Sequence, residues 1–159
     1  MTRRRLGVCY FPEHWDPADW PADAAMMREA GLDFARIGEF AWGVIEPEPG
    51  TLNLDWMQDS LDLLHAHGLE VVLCTPTATP PKWLVDSMPD MLATDRNGQT
   101  RSFGSRRHYS FSHQGYRREC ARIIRAVAGR FGTHPAVIGW QTDNEYGCHD
   151  TTISCSPAD

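Results

Sequence analysis

Apolar residues are distributed along this chain in two alternating patterns. Short continuous runs cover residues 6–11, 33–38, 70–75 and 136–141, each of strand length and each closing on polar or proline-containing sequence. Between them, apolar residues recur at helical spacing. Ala24 and Met27 follow the proline-containing starts Asp16-Pro17 and Trp20-Pro21, with Gly31 as a stop. Met57, Leu61 and Leu64 share one face of a helix starting near Asp55 and ending before Gly68. Cys120, Ile123, Ile124, Val127 and Phe131 repeat the pattern in a helix starting at Tyr116 and ending at Gly132. Pro80-Pro81-Lys82-Trp83 predicts a short further helix, 46–50 a loop, and 88–114 a long polar connection of the kind that is functional or disordered.

Strand-helix alternation of this kind implies a parallel sheet with right-handed crossovers, either doubly wound or closed into a (β/α)8 barrel. The first strand is not followed by a glycine-rich phosphate loop, which weakens the nucleotide-binding version. Polar and aromatic clusters follow every strand instead: Glu13-His14-Trp15, residues 39–42, residues 75–79 and Asn144-Glu145. Chemistry on barrels sits at the carboxyl ends of strands, so this distribution favours a barrel mouth. A whole barrel takes about 250 residues. With four strands in 159 residues, the chain is expected to be the N-terminal half of a TIM-barrel catalytic domain, truncated after strand four.

The net charge of −6 gives no reason to expect a nucleic-acid partner. Arg3-Arg4-Arg5 precedes an apolar run too short for a signal-peptide core, and nothing approaches the ~18 apolar residues of a membrane span. The expectation is a cytoplasmic protein with no membrane partner. Five scattered cysteines make no disulfide framework; Cys9 and Cys74, within strand-like runs, are expected in the core. Trp15, Trp42, Trp83 and Trp140 are also expected to be core residues.

Carboxylates and aromatic rings gathered at a barrel mouth suit a sugar, because rings pack on the apolar pyranose face while carboxylates and amides bind hydroxyls. Glycoside hydrolysis needs two carboxyl groups, one of them an acid holding its proton near the working pH. Glu145, after the fourth strand, is the candidate acid. Arg36 and Glu39 differ in parity along their strand, so both can face the mouth only if the chain bends at Gly38. Asn144 and Glu145 pose the same difficulty. Arg36 and Glu39 also have a plain reading as a strand-end salt bridge, and Arg106-Arg107 as a solvated charge pair.

Six ordered motifs carry a family resemblance over nearly the whole chain: GVCYFPEHW (7–15), RIGEFAW (36–42), EPEPG (46–50), TPTATPPKWL (75–84), RRHYSFS (106–112) and QTDNEYGCHDT (141–151). Together they resemble the N-terminal part of a glycoside hydrolase family 42 β-galactosidase. The resemblance implies a retaining barrel enzyme acting by double displacement on terminal β-D-galactosides, without an organic cofactor. It makes Glu145 the acid/base and brings Asn144 to the sugar hydroxyl nearest the reacting carbon. Arg36, Glu39 and Arg106 would line the galactose subsite. The nucleophile would belong to strand seven, outside this sequence, and is not to be sought in Glu13, Glu39 or Glu46. The fragment by itself is therefore expected to be inactive. Alternatives are a non-catalytic galactoside-binding or interaction fragment, and an enzyme preferring α-L-arabinosides. A homo-oligomeric enzyme and a self-associating fragment are compatible with all of these.

Some members carry a zinc-binding cysteine cluster, and Cys148, His149 and Asp150 raise that question here. Ser110, Ser154 and Ser156 stand where such cysteines would be, leaving Cys155, so no metal is expected.

Overall fold

The computed structural model describes residues 4–105, 107–148 and 153–158. Among them, four parallel strands form one sheet: β1 (Gly7–Cys9), β2 (Phe34–Ile37), β3 (Glu70–Cys74) and β4 (Val137–Gln141). Five helices accompany them: α1 (Trp20–Glu29), α2 (Trp42–Ile45), α3 (Asp55–Ala66), α4 (Lys82–Ser87) and α5 (Gln114–Phe131). The strands lie side by side in chain order. A doubly wound sheet reverses its order at a switch point. This one does not reverse, and its order is that of an arc cut from a barrel.

Strand alternation explains which face carries the core. Ala35, Ile37, Val71 and Leu73 are buried together with Ala24 of α1, Met57, Leu61 and Leu64 of α3, and Ile123, Val127 and Phe131 of α5. The opposite face carries the paired positions Cys9, Arg36 and Val72. Each helix ends where its sequence directs. Gly31 and Gly68, at φ 78° and 72°, adopt the left-handed conformation that stops α1 and α3 at little steric cost. At the other end of α5, His113 Nδ1 accepts from the Tyr116 amide at 3.0 Å. Its Nε2 therefore carries the proton and donates to Asp90 at 3.2 Å.

Several expectations change. Cys9 is exposed rather than buried, because it belongs to the open face, where its Sγ accepts from Arg36 at 3.0 Å. Cys74 is buried as expected, and desolvation pushes its thiol up to about 12. Trp42 is fully buried and Trp83 partly so, but Trp15 and Trp140 are exposed. Trp140 stands on β4, an edge strand of the sheet. The helix α2 arises directly after Ala41 and was not expected there. Residues 88–114 are ordered where described: a 3-10 turn over Pro89–Met91 is followed by bridges pairing Leu92 with Tyr109 and Thr94 with Thr100. Among the described residues no helix is long and apolar enough to cross a membrane.

Among the described residues the sheet presents two unpaired edges, β1 and β4, with Val8, Ile138 and Trp140 exposed along them. Unpaired edges template association. The isolated chain is therefore expected to sediment as a dimer or larger species, and a stable monomer at micromolar concentration would contradict this.

Candidate active site

Chemistry-bearing side chains gather where the strands run out. Gly38, at φ 84°, turns the chain after β2, so that Arg36 and Glu39 meet despite their parity. The Arg36 guanidinium donates to Glu39, to the Gln141 side-chain carbonyl and, at 3.0 Å, to Cys9 Sγ. Gln141, the last residue of β4, passes the connection on. Its amide donates to the Asp143 carbonyl at 2.9 Å and to Asn144 Oδ1 at 3.3 Å. Arg36, Glu39 and Asn144 are thus joined through a residue that the sequence reading did not single out. The strand-end salt bridge exists, and it is one link in this chain.

The parity of Asn144 and Glu145 is resolved by the backbone. Asp143 and Glu145 both adopt positive φ, 58° and 47°. Each costs about 1–2 kcal/mol for a residue with a Cβ. Asp tolerates the region better than Glu. What holds this turn is Asp143 itself, which is buried. Its Oδ2 accepts from Thr77 Oγ1 at 3.0 Å; its Oδ1 accepts from Arg107 Nη2 at 2.9 Å and from the Asn144 amide at 2.6 Å. The Asp143 amide donates to Thr75 Oγ1 at 2.8 Å. Arg107 also donates to the Asn144 carbonyl, and its guanidinium lies 4.8 Å from the ring centre of Phe111 and 5.3 Å from that of Tyr146. A buried carboxylate with this many donors has its hydrogen-bonding capacity met inside the protein.

The turn brings Asn144 and Glu145 to one wall of a cleft of about 830 Å³, with Phe40, Lys82, Trp83 and Phe103 among its other walls. Glu145 is exposed at this rim. Arg36 and Glu39 do not line the cleft; they stand on the open face of the sheet, joined to it through Gln141 and Asn144. Arg106 lies outside the described residues.

Three other carboxylates have visible occupations. Glu46 is fully buried, accepting from Arg122 at 2.7 Å, Trp42 Nε1 at 3.1 Å and the Gly50 amide at 2.8 Å. Desolvation acts to raise its pKa, but these donors together hold it below the usual carboxylate range. Glu39 is engaged by Arg36. Both carboxylate oxygens of Glu13 are buried without a hydrogen-bond partner among the described residues, and desolvation raises its pKa.

His149 and Asp150 of the metal question lie outside the described residues. Among those described, no three His, Cys, Asp or Glu side chains gather as a metal-binding group. Ser154 Oγ instead accepts from the amides of Thr94 at 3.3 Å and Ser156 at 3.2 Å, tying the 153–158 segment to the ordered loop.

Asp143, Arg107, Thr75, Thr77 and Gln141 were missed as site-building residues, although all lie inside motifs that had been singled out. The available signal was polar side chains placed after β-branched or apolar strand residues, where no surface role required them.

A parallel arc in chain order, with an amide and a carboxylate at the end of its fourth strand, defines half of a (β/α)8-type barrel. The chain matches the family model described as beta-galactosidase, glycoside hydrolase family 42, over residues 9–159, and it belongs to that family. It is 60% identical over 152 residues to a β-galactosidase of Thermus sp, covering 96% of this chain and 24% of that protein. A β-galactosidase of Halorubrum lacusprofundi is 54% identical over 147 residues, covering 92% and 21%. The crystal structure of a β-galactosidase from the psychrophilic Marinomonas ef1 superposes with a TM-score of 0.96 at 57% identity, covering 98% of this chain and 24% of that one. The chain thus spans about a quarter of the length of the relatives it matches, and its fold is the first half of their TIM barrel.

The Glu46 cluster is a stability element. A carboxylate with a depressed pKa contributes stability that is present above its unfolded value near ~4.3 and is lost as pH falls through the lower folded value. Glu46→Gln should cost about 2 kcal/mol at neutral pH, discounted for the partial exposure of Arg122. It should also flatten the acid limb of melting temperature against pH below about 4. Unchanged acid sensitivity would remove Glu46 from this role.

Proposed function

We propose that this chain is the N-terminal half of the catalytic barrel of a retaining β-galactosidase, with Glu145 as the acid/base. The observation that carries the proposal is the position of Asn144 and Glu145 side by side on a cleft wall, at the end of β4, on a turn fixed by the buried Asp143. A backbone held in a strained conformation by four side chains of its own protein is preorganised, as a proton donor must be.

In the first step the Glu145 carboxyl gives its proton to the glycosidic oxygen, and the leaving sugar departs as an alcohol. A second carboxylate attacks the anomeric carbon and forms a glycosyl ester. Glu145, now a carboxylate, then takes a proton from the water that attacks the same carbon, releasing galactose and restoring both groups. The attacking carboxylate is assigned to the part of the barrel beyond these residues. Glu39 and Glu46 are engaged by Arg36 and Arg122, and the carboxyl oxygens of Glu13 are buried. Asn144 donates to the hydroxyl next to the reacting carbon, where hydrogen bonds strengthen in the transition state. Arg36 and Glu39 bind galactose from the open face, with Arg106 as a further contact. No organic cofactor enters this chemistry, and residues 1–159 alone should turn nothing over.

In the full-length enzyme, Glu145→Gln should slow hydrolysis of lactose by about 10²–10⁴-fold. The first step on aryl galactosides with good leaving groups should be nearly untouched. Pre-steady-state glycosylation rates that fall equally for both substrates would exclude Glu145 as the acid.

Asn144→Ala should lower kcat more than it raises KM, since the interaction it loses is strongest in the transition state. A raised KM with unchanged kcat would assign Asn144 to ground-state binding alone.

A further inference from the structure

The last residue of β4 fixes the direction of two side-chain amides. Arg36 on β2 has Val72 of β3 as its register partner, and Val72 has Gly139 of β4. Side chains two residues apart on a strand share a face, so Gln141 follows Gly139 onto the face that carries Arg36. There the Arg36 guanidinium donates to Gln141 Oε1. A guanidinium has no acceptor, so the atom it meets is necessarily the carbonyl oxygen of the Gln141 amide. The nitrogen of that amide lies 2.9 Å from the Asp143 backbone carbonyl, which can only accept. Two partners that each work in one direction thus hold Gln141 with its NH2 group towards the turn.

That NH2 group orients a second amide. It lies 3.3 Å from the Asn144 side chain, and a donor in this place requires the oxygen of that side chain, Oδ1, to face it. The end of Asn144 that Gln141 does not engage is then Nδ2, the donor. We propose that Gln141 is a positioning residue that holds Asn144 as a hydrogen-bond donor to the sugar hydroxyl beside the reacting carbon. This role rests on the reading of Asn144 as the contact of that hydroxyl in a retaining galactosidase.

The need for such a residue follows from the chemistry of the contact. A hydroxyl both donates and accepts, so it would take either end of an asparagine amide, and the contact alone does not select one. Gln141 makes the selection. It also connects the donor to a fixed positive charge, because the guanidinium polarises the Gln141 amide and the Gln141 amide polarises that of Asn144. Each link of such a chain strengthens the next. Arg36 is itself anchored, at Cys9 Sγ by a 3.0 Å contact and at Glu39 by an ion pair, so the chain starts from a held group.

The test compares an aryl β-D-galactoside with its 2-deoxy counterpart in the full-length enzyme. Gln141→Glu keeps an acceptor for Arg36 but has no N–H for Asn144, whose amide would then turn its donor end away from the substrate. For the galactoside, kcat/KM should fall roughly tenfold, mostly through kcat, the size of one lost hydrogen bond. The 2-deoxy substrate lacks the hydroxyl, and its kcat/KM should hardly move. Gln141→Met, with neither donor nor acceptor and no added charge, should show the same selectivity. Equal losses on the two substrates, or no loss on either, would overturn the positioning role. Asn144→Ala reports on the underlying reading separately. It should also spare the 2-deoxy substrate, and adding Gln141→Met to it should cost nothing further. Losses that add in the double variant would uncouple Gln141 from Asn144 and overturn the proposal alone. If Asn144→Ala by itself slows both substrates alike, the assignment of Asn144 to the hydroxyl fails, and the role of Gln141 falls with it.

Discussion

The mouth of this half-barrel depends on one buried carboxylate. Asp143 collects Thr77, Arg107 and the Asn144 amide on its two oxygens while its own amide is held by Thr75. The donors come from the loop after β3, the long connection before α5 and the turn after β4, so a single side chain brings together three segments distant in sequence. Removing it would leave the buried Arg107 guanidinium without its anion, which costs more than the lost hydrogen bonds alone. The strained φ values at Asp143 and Glu145 persist because the surroundings over-determine them. Strain kept in place by a saturated polar network is what separates this turn from an ordinary loop start.

A second network lies beneath the first on the open face. Arg36 touches β1 through Cys9, the end of β2 through Glu39, and β4 through Gln141. Arg36 and Gln141 belong to strands that are not neighbours in the sheet, with β3 between them. That contact spans two strand spacings, about 10 Å, which the two long side chains bridge across the open face. The helices meanwhile pack their apolar faces against the other side, as the shared burial of Ile37, Leu73, Met57 and Val127 records.

Much of this was legible in the sequence for a simple reason. Apolar runs and 3.6-residue spacing report burial, and burial of Leu61, Leu64, Ile123 and Phe131 decides where the helices go. Glycine at positions 31, 38 and 68 announces positive φ because other residues rarely adopt it. The turn at 143–145 gave no such sign, since its unusual φ values are carried by Asp and Glu and are held by residues some 36 to 68 positions away. Cys9 and Trp140 were misjudged for a related reason. An apolar run says that a strand is buried in its finished surroundings, and here one strand edge and one face meet no partner among the described residues. Arg107 was passed over because an arginine pair reads as a solvated one until the carboxylate that buries it is known.

The reach of the Asp143 cluster has a bearing on how such proteins can be recombined. Among the described residues, the side chains seen to hold the turn, Thr75, Thr77, Arg107, Tyr109, Gln141 and Asp143, come from within residues 75–143. The turn that carries Asn144 and Glu145 is therefore held largely by side chains near in sequence to one another, within the third and fourth strand-helix units. A chimera joining this stretch to the later half of a relative would inherit one side of the machinery already set. Only the seam along β1 and β4 and the span across the open face would have to be matched anew.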